Sequence, residues 1–322
     1  MGSLAVVVAA ILFGTLGPVS RLATERAGVD TVGFVTWRAL FGALVVGAFV
    51  AVRVLGGSSI VGVAALSSRA RLSLFVAVLT GIVLNLAIFV AFGRITIALA
   101  LLGFYTYPAL VTAAVILIER RRPDRFELVA LAMAMTGMAV VVLGGIDPTT
   151  GISVDPLGLG LAFLAAASQA VFVLVSRHGY TRLPNDEAAF AVLGGGFVGF
   201  LIVAVIGGSV ASVTQPFDSP AAWPYLVVGG ILGAGVPTTL YILGIRSIGG
   251  VRTGILALIE PVVGAGLAVA LLGESLRPIQ VAGGALVLGA ALLVQRSSVP
   301  AGADTPSDGC GDPPTAAATP LV

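Results

Sequence analysis

Residues 256–274 read LALIEPVVGAGLAVALLGE. The stretch is apolar for nearly its whole length, and it is long enough for a transmembrane helix, which needs about 20 residues. It nevertheless contains Glu260, followed directly by Pro261. A carboxylate near the bilayer centre costs about 2.5–3.5 kcal/mol on insertion scales, and a proline removes a helix hydrogen bond. Because both residues are costly at this place, we predict that they have a function there.

The rest of the chain is similarly apolar. Of its 322 residues, 58% are hydrophobic and only 10% are charged, and the mean hydropathy is +1.10. Soluble domains contain about 25% charged residues. The composition therefore predicts an integral membrane protein that is surrounded by the lipid bilayer. Its net charge of +2 gives no reason to expect a nucleic-acid partner.

Apolar runs of about 20 residues recur along the chain and are separated by short polar breaks, which is the pattern of transmembrane helices. Residues 297–322 are rich in Pro, Gly, Ser, Thr and Asp, and we expect them to form a disordered cytoplasmic tail. The fold class predicted is all-α, with ten transmembrane helices at residues 4–23, 32–53, 72–93, 96–118, 127–144, 157–176, 188–207, 224–245, 251–272 and 278–295.

The distribution of arginine predicts the orientation in the membrane, because cytoplasmic loops carry an excess of positive charge. With the N-terminus inside, twelve arginines fall in inner loops and the tail, and four fall in outer loops. Arg38 is left inside the second span. We therefore predict a multi-pass protein of the cell inner (plasma) membrane with both termini in the cytoplasm.

The two halves of the chain resemble each other. Tyr107-Pro108 aligns with Glu260-Pro261 at a shift of 153 residues. A repeat of five spans has an odd number of crossings, so the second copy enters the membrane from the opposite side. Inverted repeats are typical of secondary transporters, whose substrate site lies near the midplane between the halves. The predicted parts are the two five-helix repeats and the tail: 1–148, 149–296 and 297–322.

Several of these segments resemble a known family. EPVVGAGLAVALLGE (260–274) is similar to the ninth-helix signature of EamA-type transporters of the drug/metabolite transporter superfamily, and AAILFGTLGPVSRLA (9–23) and FVTWRALFGAL (34–44) resemble their first two helices. The resemblance covers residues 4–296. It implies ten helices with both ends inside, and transport of small metabolites such as amino acids without ATP. One departure is Glu119, which is followed by RRRPDR instead of a short Gly-Glu turn.

Glu260 and Arg38 are the main candidates for substrate binding. Glu260 lies roughly 14 Å deep in its span, and Arg38 lies about 9 Å below the outer surface. Glu260 either binds substrate or fixes helix packing through a hydrogen bond. Arg38 either pairs with Glu260 or extends outward to the headgroups. Without a partner, Glu260 would favour its protonated form and could carry a proton, whereas an arginine partner would favour the charged form.

Other polar, aromatic and proline residues also lie inside the spans. Tyr107 is the strongest of them, because it is the symmetry mate of Glu260. For each polar or aromatic residue the alternative is a simple interhelical hydrogen bond, and for each proline it is a static kink. The candidates for the substrate site are Tyr105, Tyr107, Asn85, Gln169 and Tyr241, and the candidate hinges are Pro108, Pro237 and Pro261.

The chain contains no Walker A, HExxH or CxxC motif and no dinucleotide fingerprint. We therefore predict no cofactor, no metal and no enzymatic activity. The leading hypothesis is a secondary active transporter that exports a small organic metabolite by alternating access, with protons as the candidate coupling ion. The alternatives are a cationic drug efflux pump, an intramembrane enzyme and a scaffold without transport. Contact between Arg38 and Glu260 would favour a zwitterion or an anion as cargo.

Overall fold

The structure is a computed structural model that describes residues 1–145, 155–273 and 276–296. Within these ranges the chain forms helices and no strands. Nine helical segments are long and apolar enough to cross a membrane, and a tenth apolar helix, Pro278–Val294, has 17 residues. Its length of about 26 Å is slightly less than a bilayer core of about 30 Å. The prediction of a ten-helix, all-α membrane protein is confirmed, and the predicted tail (297–322) lies outside the described residues.

The first half of the chain forms spans 1 to 5. Spans 1 and 4 are each divided into two helices. The helices are, in order, α1 (Gly2–Gly14) and α2 (Leu16–Ala27) in span 1, α3 (Thr31–Leu55) in span 2, α4 (Ser68–Phe92) in span 3, α5 (Ile97–Phe104) and α6 (Tyr107–Leu117) in span 4, and α7 (Arg125–Gly144) in span 5.

The second half forms spans 6 to 10. Spans 8 and 9 are interrupted, and a short helix, α10 (Val210–Asp218), precedes span 8. The helices are α8 (Pro156–His178) in span 6, α9 (Asn185–Ile206) in span 7, α11 (Trp223–Gly230), a π-helical turn (Ile231–Gly235) and α12 (Val236–Ile248) in span 8, α13 (Gly250–Ala257) and α14 (Ile259–Leu272) in span 9, and α15 (Pro278–Val294) in span 10.

Several helices begin at residues whose side chains accept a hydrogen bond from the first turn. Asp30 accepts from the backbone N–H of Gly33, and Ser67 accepts from that of Ala70. Such caps satisfy backbone donors that have no partner within the helix. α7 begins with a capping box, and at the equivalent position 153 residues later Gln280 Oε1 accepts the backbone N–H of Arg277 at the start of α15.

The packing of the spans has the symmetry of an inverted repeat. Span 1 packs on span 8, and the equivalent pair, spans 6 and 3, packs in the same way. Span 2 packs on span 7, and span 5 packs on span 10, so each of these pairs is its own symmetry mate. Because five crossings separate the copies, the twofold axis lies in the membrane plane. This confirms the predicted inverted repeats.

The three predicted hinge prolines follow interruptions of their spans. α5 and α6 are separated at Tyr105 and Thr106, directly before Pro108. α13 and α14 are separated at Leu258, shortly before Pro261, and Pro237 is the second residue of α12, after the π-helical turn. A proline cannot donate the N–H that continues a helix. The interruptions are structural facts, and movement at these points remains a prediction.

A buried charge cluster joins α3 to α9 on the side of the membrane where the N-terminus lies, which we call the terminal side. Arg53 Nε donates to Asp186 Oδ2 at 2.8 Å, and Arg53 Nη2 donates to Glu187 Oε1 at 2.6 Å. Glu187 Oε2 also accepts the backbone N–H of Gly62 at 2.9 Å. Both carboxylates are 6% exposed. The cluster therefore holds the loop between spans 2 and 3 against span 7.

We expect Glu187→Ala to lower the free energy of unfolding by about 1–3 kcal/mol, because Arg53 and two backbone N–H groups lose their acceptor. Thermal unfolding in detergent measures this change. The matched control is Glu25→Ala, because Glu25 forms an exposed pair with Arg21 on α2, and such pairs contribute about 0–1 kcal/mol. Equal losses in the two variants would show that the cluster does not stabilise the fold.

Candidate functional site

The predicted site residues lie at the level where spans 4 and 9 are interrupted. Glu260 is the second residue of α14, Tyr105 ends the helix before the interruption of span 4, and Tyr107 begins the helix after it. The Glu260 carboxylate is within electrostatic reach of Arg38, Tyr105, Tyr107 and Tyr241. Glu260 is nevertheless only partly buried. Glu260 therefore keeps part of its surface accessible among these neighbours.

Arg38 is oriented by Asn85 of α4. Arg38 Nη2 donates to Asn85 Oδ1 at 2.9 Å, and Asn85 Nδ2 donates to the carbonyl oxygen of Gly81 at 2.8 Å. The second bond fixes the amide so that its oxygen faces the guanidinium. Arg38 therefore points into the helix bundle, and the alternative that it extends to the headgroups is not what the structure shows. Its Nε is buried, and among the described residues it has no hydrogen-bond partner.

Arg38 and Glu260 attract each other across a gap. Each charge contributes to the electrostatic environment of the other. The ion pairs within 4.0 Å in the described part of the chain do not include this pair. The direct contact considered in the sequence analysis is therefore absent, so this criterion does not favour a zwitterion or an anion over a cation.

Aromatic and amide side chains form another part of the candidate site. Gln169 Nε2 donates to the Tyr241 hydroxyl at 3.2 Å. Tyr107 packs against Phe104, with ring centroids 5.5 Å apart, and the Tyr107 hydroxyl faces Tyr241. All seven residues predicted for the site thus belong to one connected set of neighbours.

Phe13 was missed by the sequence reasoning. Its ring meets Tyr241 edge-on, with centroids 6.0 Å apart. The next residue, Gly14, approaches span 9 so closely that an added Cβ would lie 2.9 Å from the Glu260 carbonyl oxygen. The signal was present in the repeat, because the 156-residue shift that aligns Ser20-Arg21 with Ser176-Arg177 also aligns Phe13 with Gln169. Both of these residues contact Tyr241.

The helices on the terminal side of Glu260 pack closely. There α6 and α13 pack against each other, and all eight residues of α13 are buried. Gly254 permits this approach, since an added Cβ would lie 3.1 Å from the Pro108 ring. In contrast, residues 260–265 of α14 are only partly buried, and α14 packs on α1, α2, α7 and α15. Span 9 is therefore more tightly enclosed on the terminal side of Glu260 than on the far side.

The family can now be established from comparison with known proteins. Residues 1–143 and 156–296 match the EamA-like transporter family. The chain belongs to the EamA-like transporter family. The match includes both halves of the chain and therefore almost all of the described residues.

One curated protein and one solved structure are similar to this EamA protein. An uncharacterized inner membrane transporter, YicL, of Salmonella typhimurium is 25% identical over 300 residues, which cover 92% of this chain and 96% of YicL. A solved structure, described only as the crystal structure of a protein, covers 91% of this chain and 95% of its own with a TM-score of 0.73 at 20% identity. That likeness concerns the fold alone. The family match and the apolar helices identify the EamA protein as a multi-pass membrane transporter.

Charged groups outside the candidate site form different pairs on the two sides of this EamA protein. On the terminal side, Glu119 Oε1 lies 3.4 Å from His178 Nε2 at the end of α8. On the far side, Arg94 Nη1 donates to Asp155 Oδ2 at 3.0 Å, and this hydrogen bond lowers the pKa of the Asp155 carboxyl. The repeat mate of Glu119 in the family signature, Glu274, lies outside the described residues.

Proposed function

We propose that this EamA protein is a secondary active transporter that exports a small zwitterionic metabolite, such as an amino acid, by alternating access between its two repeats. One observation carries the proposal: Arg38 and Glu260 lie close enough to attract each other, yet they form no direct ion pair. The proposed repeats comprise residues 1–148 and 149–296.

The cargo class follows from the cost of charge inside a membrane. A buried ion is stable only when it is paired or hydrogen-bonded. Arg38 already binds Asn85 through Nη2, and its Nε has a free N–H that a cargo carboxylate could accept. Glu260 could accept from a cargo ammonium. A zwitterion would therefore bind both Arg38 and Glu260 at once.

A cationic drug fits the proposed site between Arg38 and Glu260 less well. Phe13, Tyr105, Tyr107 and Tyr241 offer aromatic surface, and aromatic rings attract cations. Arg38, however, places a fixed positive charge opposite Glu260 and would repel a cargo with only positive charge. The arginine therefore favours a zwitterion over a cation.

The proposed orientation places both termini in the cytoplasm. Twelve arginines against four support it, since positive residues are retained on the cytoplasmic side. The terminal side is then cytoplasmic, and we propose that the site is open to the outside in this conformation. Glu260 is the proposed site of proton coupling, because it could bind either the cargo ammonium or a proton.

Reconstitution into liposomes tests the proposed function. We expect saturable counterflow of at least one zwitterionic amino acid, and none in liposomes that lack the protein. The methyl ester of the same amino acid is a cation, and its N-acetyl form is an anion, so both should move at least tenfold more slowly. Faster transport of the ester would identify a cationic drug pump. Vesicles of known orientation, with a pH gradient imposed in either direction, test export and proton coupling.

A further inference from the structure

A buried ion cluster joins α7 to α13 on the terminal side. Glu127 Oε1 accepts from Arg252 Nε at 2.9 Å and from Arg121 Nη2 at 2.8 Å. Glu127 is 0% exposed and Arg252 is 5% exposed. Glu127 Oε2 also accepts the backbone N–H of Asp124 at 3.1 Å, within the capping box of α7. The Glu127–Arg252 pair therefore connects span 5 directly to the terminal half of span 9.

The contact between α7 and α13 is not symmetric between the repeats. Its symmetry counterpart would be a contact between α15 and α5. α7 packs on α13, whereas α15 and α5 have no comparable packing within the described residues. Because the repeats are inverted, exchanging their packing gives a conformation that is open on the opposite side. That exchange would form the contact between α15 and α5 and break the one between α7 and α13.

The ion pair has no charged equivalent in the exchanged conformation. At the 153-residue shift, Gln280 corresponds to Glu127, and Leu99 corresponds to Arg252. Gln280 Oε1 accepts the backbone N–H of Arg277 at 3.0 Å, and Gln280 Nε2 donates to the carbonyl oxygen of Val141 at 3.3 Å. A neutral pair cannot replace the attraction that is lost, so the exchange would break an ion pair without forming another.

We propose that the Glu127–Arg252 pair is a lock specific to the state that is closed on the terminal side. It makes this state the preferred conformation of the empty transporter. The lock rests on the alternating access of the proposed function, but it requires neither the proposed cargo nor a role for Glu260.

The Arg53–Glu187 pair provides a matched control. Its carboxylate is also buried on the terminal side, but the pair joins α3 to α9, which are spans 2 and 7. The pair of spans 2 and 7 is its own symmetry mate, so the two spans stay packed on each other when the repeats exchange their packing, and we expect this ion pair to remain in both conformations. Loss of Glu187 should affect both conformations alike, whereas loss of Glu127 should affect one of them.

Cysteine labelling measures the position of the equilibrium without any cargo. Val111 of α6 is 0% exposed and lies beside Gly250 of α13, so a cysteine there is protected while the terminal side is closed. Cys310 is the native cysteine and would be replaced by Ser. The reporter variant is Val111→Cys in purified protein, treated with a charged, membrane-impermeant thiol reagent.

We expect Glu127→Gln to raise the labelling rate of this reporter at least tenfold, because the closed state loses its ion pair. Arg252→Gln, the second variant, should do the same. Glu187→Gln should leave the rate within about twofold of that of the reporter alone. No rise in either lock variant, or an equal rise in Glu187→Gln, would overturn the lock. Transport is measured separately. If the protein transports cargo in a Glu260-dependent way but the lock variants label at the unchanged rate, the lock alone is overturned. If the lock variants label faster but the protein transports no cargo, the proposed function alone is overturned.

Discussion

Glu260→Gln is expected to reduce the initial rate of cargo transport in liposomes at least about 100-fold. Glutamine keeps the shape of the side chain but can neither hold an ammonium group by charge nor carry a proton. Removing one partner from a buried charge pair costs about 3–5 kcal/mol, and 1.36 kcal/mol corresponds to a factor of ten in rate. The rate should be measured from pH 5.5 to 8.5, so that loss of proton coupling is separated from loss of binding.

Glu25→Gln is the matched control for this experiment, because it neutralises an exposed carboxylate on α2. It should leave transport within about twofold of the wild type. If Glu260→Gln transports at the wild-type rate at every pH, Glu260 neither binds the cargo nor couples its movement, and the mid-membrane carboxylate would then have a role in packing.

Arg38→Gln is expected to weaken cargo binding about 100-fold and to change the preferred cargo. Glutamine can still donate to Asn85, but it cannot form the charge-assisted hydrogen bond that a carboxylate requires. Removal of the positive charge also removes the repulsion of cations, so the methyl ester of the cargo should bind more tightly to this variant than to the wild type. Calorimetry with purified protein measures both dissociation constants.

Two further variants test the role of Arg38. Arg38→Lys keeps the charge but not the planar fork of the guanidinium, and it should recover part of the binding. Arg94→Gln is the control, since Arg94 lies on the exposed far side. Unchanged cargo affinity in Arg38→Gln would place the carboxylate of the cargo elsewhere.

Much of the fold could be predicted from the sequence, because the bilayer imposes a simple pattern. Each span must be apolar over about 20 residues, and each break must be polar. The match between Tyr107-Pro108 and Glu260-Pro261 also showed where spans 4 and 9 are interrupted, since a proline cannot continue a helix. Those interruptions bring the predicted site residues to one level.

The contacts between side chains could not be predicted in the same way. The depth of Arg38 and Glu260 allowed a direct pair, but depth does not specify how two helices are rotated about their axes. In the structure that rotation brings Arg38 to Asn85 instead. A side chain at a given depth can face lipid, a neighbouring helix or a cavity, and hydropathy does not distinguish these.

The ion pair between Glu127 and Arg252 was also missed, for a related reason. Arg252 lies at the end of a span and was counted as a residue of an inner loop. In the structure it is 5% exposed and bonded to a residue 125 positions away. A charge at a span end has the same sequence pattern whether it meets headgroups or a buried partner.

The measurement that tests the central claim most directly is the binding of charge-blocked analogues to the wild type, Arg38→Gln and Glu260→Gln. The wild type should lose about 100-fold in affinity when either end of the cargo is blocked. Arg38→Gln should bind the carboxyl-blocked form as well as the intact cargo, and Glu260→Gln should do the same with the amine-blocked form. If each block instead costs the same affinity in all three proteins, the cargo does not lie between Arg38 and Glu260.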